Sequence, residues 1–369
     1  MSTLTSLFNE YGQSPWIDNI RRDWLNDGTL KGLVAQGVRG VTSNPSIFAK
    51  ALATSSAYDE FLAGASSKDP ETLFEALAVQ DVKEACDILT VVYEQSKTDF
   101  LEGRRRYLDG FVSLEVSPHL ARDAAGTIAA AKRLANEVGR SNVMIKIPAT
   151  REGLPAVTEV LGSGINVNVT LIFSLARYNE VIDAWLEGLE LAKERGHDLR
   201  EVASVASFFV SRVDVAVDAL LEDGDERRGT IANAQVCGAY QQFKLRMSSD
   251  PVKKLLENGA QIQRPLWAST STKNPTYPDL LYVDPIVGDE TVNTMPDPTL
   301  DAVLDHADFT HSLLANEESI EHQTKLLGEL PPSVSLADVT ERLEVDGVNA
   351  FVSSYDELLA TVAKKIAST

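Results

Sequence analysis

Short apolar runs alternate with longer amphipathic stretches along this chain. The runs span 15–20, 38–43, 110–116, 143–148, 166–172, 202–210, 265–269 and 291–295. Most are near-continuous in hydrophobicity, as parallel strands covered on both faces are. Between them lie patterns at helical spacing, for example 122–138, 175–195, 230–247 and 279–283. Strands alternating with helices predict βαβ units and a parallel sheet. Eight candidate strands favour a closed (β/α)8 barrel over an open doubly wound sheet. The eighth, 291–295, is the weakest.

Two regions exceed the regular alternation. Residues 47–106 read as a helical excursion, with helical periodicity over 55–65 and 70–103. Residues 298–369 extend past the last strand. There 298–330 is largely helical, Pro331-Pro332 breaks it, and Ser335 can cap the next helix with Asp338 three residues on. A further amphipathic helix is expected over 355–367. No internal repeat or flexible linker interrupts the chain, so 1–369 is read as a single barrel domain with helical additions.

Composition narrows the function classes. The 369 residues include 54 acids and 34 Lys and Arg, for a net charge of −20. That balance disfavours nucleic acid as a partner, because a phosphate backbone selects a basic footprint. It also disfavours anionic membranes. No apolar run reaches the roughly 18 residues of a membrane helix, and 1–14 lacks the basic and apolar regions of a signal peptide. Two cysteines, Cys86 and Cys237, both in predicted helices, form no CxxC, which fits a reduced cytoplasm. If the substrate is an anion, its site must be locally positive.

The chain carries no GxGxxG, P-loop, GxSxG or HExxH motif. Its five histidines are spaced like surface residues, and a zinc site is not expected. The chemistry lies instead in polar residues near the C-terminal ends of apolar strands, where barrel sites are built. Lys146 sits in Val143-Met144-Ile145-Lys146-Ile147-Pro148. Desolvation there would favour the free amine, which forms Schiff bases with carbonyl compounds. An edge lysine reaching water, or one paired with a carboxylate, fits the same run. Asp18 and Glu115 are carboxylates within strands, suited to acid–base work or simply to neutralising a cation. Asn44 precedes Pro45 and would also serve as a turn residue. Asn168 and Thr170, two apart, share one face of a strand. Arg212 follows the run ending at Val210 and offers a planar fork to an anion. Ser269, Ser271 and Lys273 lie in a hydroxyl-rich segment after the next strand. Together with Arg212 they read as a phosphate pocket; taken alone, such a segment is a loop.

These residues occur in recognisable order. Thr42-Ser43-Asn44-Pro45-Ser46, Ser113-Leu114-Glu115-Val116, Ile145-Lys146-Ile147-Pro148-Ala149-Thr150, Asn168-Val169-Thr170-Leu171-Ile172-Phe173-Ser174 and the segment 267–275 resemble the transaldolase family, over nearly the whole chain. The resemblance implies a barrel of the class I aldolase type. It implies transfer of a dihydroxyacetone unit in the pentose phosphate pathway, sedoheptulose 7-phosphate plus glyceraldehyde 3-phosphate giving erythrose 4-phosphate plus fructose 6-phosphate. By motif position Lys146 would form the Schiff base and Asp18 would be the acid–base group for carbon–carbon cleavage. Glu115 would shuttle protons through a water positioned with Thr170. Asn44 and Asn168 would bind hydroxyls of the dihydroxyacetone unit, and Ser207 and Arg212 the phosphate. Where other members carry a second phosphate-binding arginine, this sequence offers Lys273, joined by Ser269 or Ser271. No cofactor or metal is expected, because the iminium supplies the charge stabilisation. The partners expected are phosphorylated ketoses and aldoses, in the cytoplasm, for a monomer or homodimer. A simple aldolase shares the lysine. A metal-dependent hydrolase using Asp18 and Glu115, or a non-catalytic scaffold, would not need it.

Overall fold

Seven strands form one parallel sheet in the computed structural model, which describes residues 2–65 and 67–368. Met1, Ser66 and Thr369, inside the N-terminal, 47–106 and C-terminal ranges discussed above, lie outside the described residues. The strands are β1 (Ser14–Ile17), β2 (Val112–Glu115), β3 (Val143–Pro148), β4 (Val167–Ile172), β5 (Ser204–Phe209), β6 (Arg264–Ala268) and β7 (Val292–Met295). Their order is β1-β7-β6-β5-β4-β3-β2. The run 291–295, weakest in the sequence, is a full strand.

The expected second strand is the one that differs. In 38–43 only Val41 makes bridges, to Ile17 of β1 and to Val112 of β2. Val41 N–H donates to Phe111 O and Val41 O accepts from Ser113 N–H, both at 2.9 Å, while Ile17 N–H donates to Gly40 O at 3.0 Å. The two edges of the curled sheet therefore meet the same residue. Gly40 explains why the segment is so short: its backbone lies against the Trp16 ring, where a Cβ would sit 2.3 Å from Cε2. Asn44 and Pro45 then end the extended path by starting a helix.

Most predicted helices form. Ala124–Val138 is capped by Asp123 and stopped by Gly139 at φ 58°. Leu175–Glu194, Ile231–Met247 and Pro70–Leu101 match their patterns. The excursion after 47 also contains Pro45–Thr54 and Asp59–Gly64. Residues 279–283 form turns rather than the expected helix, bracketed by Pro278 and Pro285, which interrupt helical hydrogen bonding. Beyond β7 the helices are Asp297–His306 and Glu317–Lys325, with short 3-10 turns. Ser335 does cap the next helix, accepting from Asp338 N–H at 3.3 Å. That helix does not stop before 355: Leu336–Ser368 is continuous over 33 residues. The opening helix Thr3–Tyr11 was not anticipated.

Strand alternation divides the interior. In β3, Val143, Ile145 and Ile147 pack outward against the helices, while Met144 and Lys146 face inward. The inner face holds Trp16, Met144, Val205, Leu266 and Val292. Near the N-terminal ends of the strands it also holds the buried Asp109. Asp109 accepts from Ser14 Oγ (2.5 Å), Trp16 Nε1 (2.9 Å) and Arg39 Nε (2.8 Å). Burial alone would raise its pKa, but Arg264 and Arg39 hold it below the usual carboxylate range.

One strand breaks the alternation. β4 shifts register between Val169 and Ile172, and Leu171 takes φ 61°. A left-handed leucine stores roughly 1–3 kcal/mol of strain. The bulge lets Thr170 and Leu171 both turn inward. Above Leu171 crosses the terminal helix, whose Gly347 comes so close that a Cβ would lie 3.2 Å from Leu171 Cδ2. Val348 and Phe351 of that helix join the inner cluster. One turn on, Tyr355 packs edge-on to Phe74 and donates to Glu71 at 3.0 Å.

Gly40→Ala places a methyl inside the Trp16 ring system, whose indole is fixed by Asp109. The expected cost is about 1–3 kcal/mol of stability, read by urea unfolding. An unchanged midpoint would refute the close approach of Gly40 to Trp16.

Candidate active site

The C-terminal ends of the strands converge on a cavity of about 190 Å³. Asp18, Asn44, Lys146, Thr170, Ser207, Arg212, Ser269, Ser271 and Lys273 line it. Nine of the eleven residues singled out in the sequence therefore line one cavity. Glu115 and Asn168 stand behind it.

The register explains the centre. Glu115 of β2 lies opposite Lys146 of β3, which lies opposite Asn168 of β4. All three side chains point inward at one level. Lys146 Nζ donates to Ser43 O at 3.1 Å and to Glu115 Oε2 at 3.4 Å. Both partners of the ion pair are nearly inaccessible, at 5% and 6% side-chain exposure. The paired-lysine reading from the sequence is thus true as geometry, yet the same lysine faces the cavity. Burial pushes the Glu115 carboxyl up to about 7, against the pull of Lys146. A carboxyl at that value exchanges protons readily near neutral pH.

Asp18 lies just past the end of β1. Its N–H donates to Met295 O at 2.8 Å, and Thr42 Oγ1 donates to its Oδ1 at 2.6 Å. Thr294 Oγ1 lies 2.6 Å from Thr42 Oγ1. With the Thr42 proton given to Asp18, Thr294 is the donor of that second contact. Burial raises the Asp18 pKa, while Lys146 and the Thr42 hydroxyl oppose the rise. The lysine thus stands among carboxyls that both hold protons more tightly than in water.

Around this centre the polar heads are differently committed. Asn44 Oδ1 accepts from Ile47 N–H at 3.1 Å, capping the helix Pro45–Thr54. Its turn role and its place in the cavity wall coexist. Asn168 donates through Nδ2 to Ser113 Oγ (3.0 Å) and accepts from Ser207 Oγ (2.7 Å). It therefore braces the floor below Ser207. Thr170 Oγ1 is fully buried and has no hydrogen-bond partner among the described residues.

The opposite side is cationic. Arg212 has no carboxylate partner among the described residues, and its guanidinium carbon lies 5.7 Å from the Phe209 ring centroid. Burial lowers its pKa. Lys273 Nζ donates to Ser271 Oγ at 2.5 Å, whereas Ser269 Oγ sits 3.1 Å from Ser211 Oγ. Ser271, not Ser269, is the hydroxyl tied to Lys273. Burial and the Arg212 charge lower the Lys273 pKa. Two cations that form no salt bridge among the described residues, with Asp18 further along the same cavity, make a pocket for an anion within an acidic protein.

Several wall residues escaped the sequence reading: Thr42, Ser46, Phe209, Thr294 and Phe351. Thr42 lay within a motif used for the resemblance, so its position was available. Phe351 carried no signal. It comes from the terminal helix, 5% exposed, and its ring centroid lies 5.5 Å from Lys146 Nζ. His119 and His306 are exposed and pair with Asp356 and Asp279. Among the described residues no group of three or more His, Cys, Asp or Glu is arranged to hold a metal ion, and no helix is long and apolar enough to cross a membrane.

Comparison with known proteins gives the family. A family described as transaldolase/fructose-6-phosphate aldolase matches residues 15–362. A transaldolase of Trichodesmium erythraeum is 42% identical, over 96% of this chain and 95% of that protein. A transaldolase of Thermobifida fusca is 46% identical, over 98% and 97%. One of Mycolicibacterium smegmatis is also 46% identical, over 94% and 93%.

The raised Glu115 pKa has a measurable sign. Between about pH 4.5 and 7 the folded protein keeps a proton on Glu115 that the unfolded chain releases. Wild-type stability therefore falls across that window relative to Glu115→Gln, and the two run parallel above it. Urea midpoints measured from pH 4.5 to 8 test this; parallel curves throughout would contradict it.

Proposed function

The chain belongs to the transaldolase/fructose-6-phosphate aldolase family and is a transferase of carbohydrate metabolism, and we propose that it carries a dihydroxyacetone unit between sugar phosphates on Lys146. The reaction is sedoheptulose 7-phosphate plus glyceraldehyde 3-phosphate giving erythrose 4-phosphate plus fructose 6-phosphate. The observation that carries the residue assignment is Lys146 itself. It is buried, it faces the cavity, and it stands between two carboxyls whose proton affinities burial has raised.

The steps follow from that arrangement. The Lys146 amine adds to the ketose carbonyl, and water leaves to give an iminium. The proton shed by Lys146 has an acceptor 3.4 Å away in Glu115. Glu115, holding a proton near neutral pH, can return it to the departing hydroxyl, with the buried Thr170 hydroxyl orienting a water between them. Asp18 then takes the proton of the hydroxyl beside the breaking carbon–carbon bond. The bonding electrons move into the iminium and leave an enamine, and the aldose departs. An aldehyde acceptor reacts with the enamine carbon, Asp18 returns its proton to the new hydroxyl, and water releases the product ketose. Asn44 and Asn168 orient hydroxyls of the bound unit, and Asn168 also holds Ser207, which serves the phosphate with Arg212. Arg212, Lys273 and Ser271 hold the phosphate, with Ser269 beside them.

The same reading extends to architecture and setting. The segment 38–43 serves as the eighth member of a closed (β/α)8 ring, since both sheet edges bond to it. Residues 1–369 act as one domain, in the cytoplasm, on phosphorylated ketoses and aldoses. The Phe351 ring keeps water from the bound enamine, which favours transfer over release.

Borohydride reduction in the presence of fructose 6-phosphate should fix a substrate adduct on Lys146, found by peptide mass spectrometry. Absence of that adduct, with activity retained in Lys146→Ala, would sink the mechanism. A coupled assay with and without erythrose 4-phosphate compares transfer with free dihydroxyacetone release. Phe351→Ala should raise the ratio of release to transfer several-fold. An equal loss of both would leave Phe351 a packing residue only.

A further inference from the structure

The helix Ser211–Asp218 starts where β5 ends and carries Arg212 in its first turn. Ser211, Asp214 and Asp218 stand at i, i+3 and i+7, on one face of that helix. All three are buried, at 0%, 1% and 8% exposure. Each bonds to the segment between Ser269 and Tyr282. Ser211 Oγ donates to Ser269 O at 2.6 Å. Tyr282 Oη donates to Asp214 Oδ2 at 2.9 Å, and Tyr277 Oη donates to Asp218 Oδ2 at 2.7 Å. The second carboxylate oxygens accept backbone N–H groups, Asp214 from Ala232 at 2.7 Å and Asp218 from Gly229 at 3.0 Å.

This is an expensive arrangement if it only fastens a loop. Two carboxyls one turn apart are buried, and neither forms an ion pair with a cationic side chain among the described residues. Burial pushes Asp214 up to about 7. Apolar packing would fasten a loop with less desolvation. The loop, however, contains Lys273, and the helix contains Arg212. Like charges facing one cavity repel, and a loop without helix or strand at Lys273 offers little of its own to resist that.

We propose that Asp214 and Asp218 are positioning residues, which clamp the Lys273 loop to the Arg212 helix through Tyr282 and Tyr277 so that both cations face one phosphate group. The inference rests on the phosphate reading of Arg212 and Lys273 above. The stripe makes the anion pocket a preformed unit, so binding does not have to order the loop. The hydroxyls of Tyr277 and Tyr282 lie outside the cavity wall, and neither touches the reacting centre.

Tyr277→Phe, Tyr282→Phe and the double variant test the clamp, because they remove only hydroxyls and keep the rings. Steady-state kinetics with fructose 6-phosphate and an aldose phosphate acceptor, together with thermal midpoints, are measured beside Arg212→Ala and Lys273→Ala. The double variant is expected to raise KM for fructose 6-phosphate about tenfold, with kcat within about twofold. A folded double variant with unchanged KM, or one whose kcat falls as far as its kcat/KM, overturns the clamp. If Arg212→Ala and Lys273→Ala raise KM while the tyrosine variants do not, the clamp alone fails. If neither cation variant raises KM, the phosphate reading fails and takes the clamp with it.

Discussion

A parallel sheet covered by helices outside and curled on itself inside leaves its polar side chains almost no water. An inward polar group costs least when it is paired or faces the cavity at the strands' C-terminal ends. The two ends of the sheet resolve this differently. Near the N-terminal ends Asp109 is surrounded by Ser14, Trp16, Arg39 and Arg264, and its charge is fully answered. Near the C-terminal ends Lys146 has one distant carboxylate and one carbonyl. The first cluster is a closed account of charge that stiffens the fold. The second is left incomplete, and it opens on the cavity.

The same scarcity of water tunes the carboxyls. Burial pushes all three carboxyls upward, yet Glu115 and Asp18 end above the usual carboxylate range and Asp109 below it. The difference is in the cations: Arg39 and Arg264 both pair with Asp109, whereas Glu115 and Asp18 share Lys146, with Lys273 acting on Asp18 as well. A single buried lysine cannot neutralise two carboxyls, so both retain protons more strongly. Carboxyls that hold their protons more strongly than in water thus arise from the balance of charges in a dry space.

Much of this was legible in the chain. A lysine inside Val143-Met144-Ile145-Lys146-Ile147-Pro148 cannot avoid burial once the run is a central strand, and Glu115 and Asn168 follow by register. The cation pair was legible because a basic residue after an apolar strand is conspicuous in an acidic protein. The segment 38–43 was misjudged because hydrophobicity does not reveal that Gly40 must accept the Trp16 ring. The single long helix Leu336–Ser368 was divided because periodicity does not show continuity. Phe351 was invisible for a related reason. An aromatic residue on an amphipathic helix looks the same whether it meets the general core or one reactive amine, and only tertiary docking distinguishes them. The stripe Ser211, Asp214 and Asp218 had a helical spacing that could have been noticed, but its tyrosine partners lie more than fifty residues on and answer to no pattern.

The bulge in β4 also joins two properties that look unrelated. A two-residue period would send Thr170 and Leu171 to opposite faces. The left-handed turn at Leu171 brings both inside, one beside Lys146 in the cavity wall and the other beneath Gly347 of the terminal helix. The cavity lining and the seat of the helix above it are thus consecutive residues on one kinked backbone. Relaxing the kink would turn the Thr170 hydroxyl and unseat the terminal helix in the same event, so one backbone conformation sets both the lining of the cavity and the helix that roofs it.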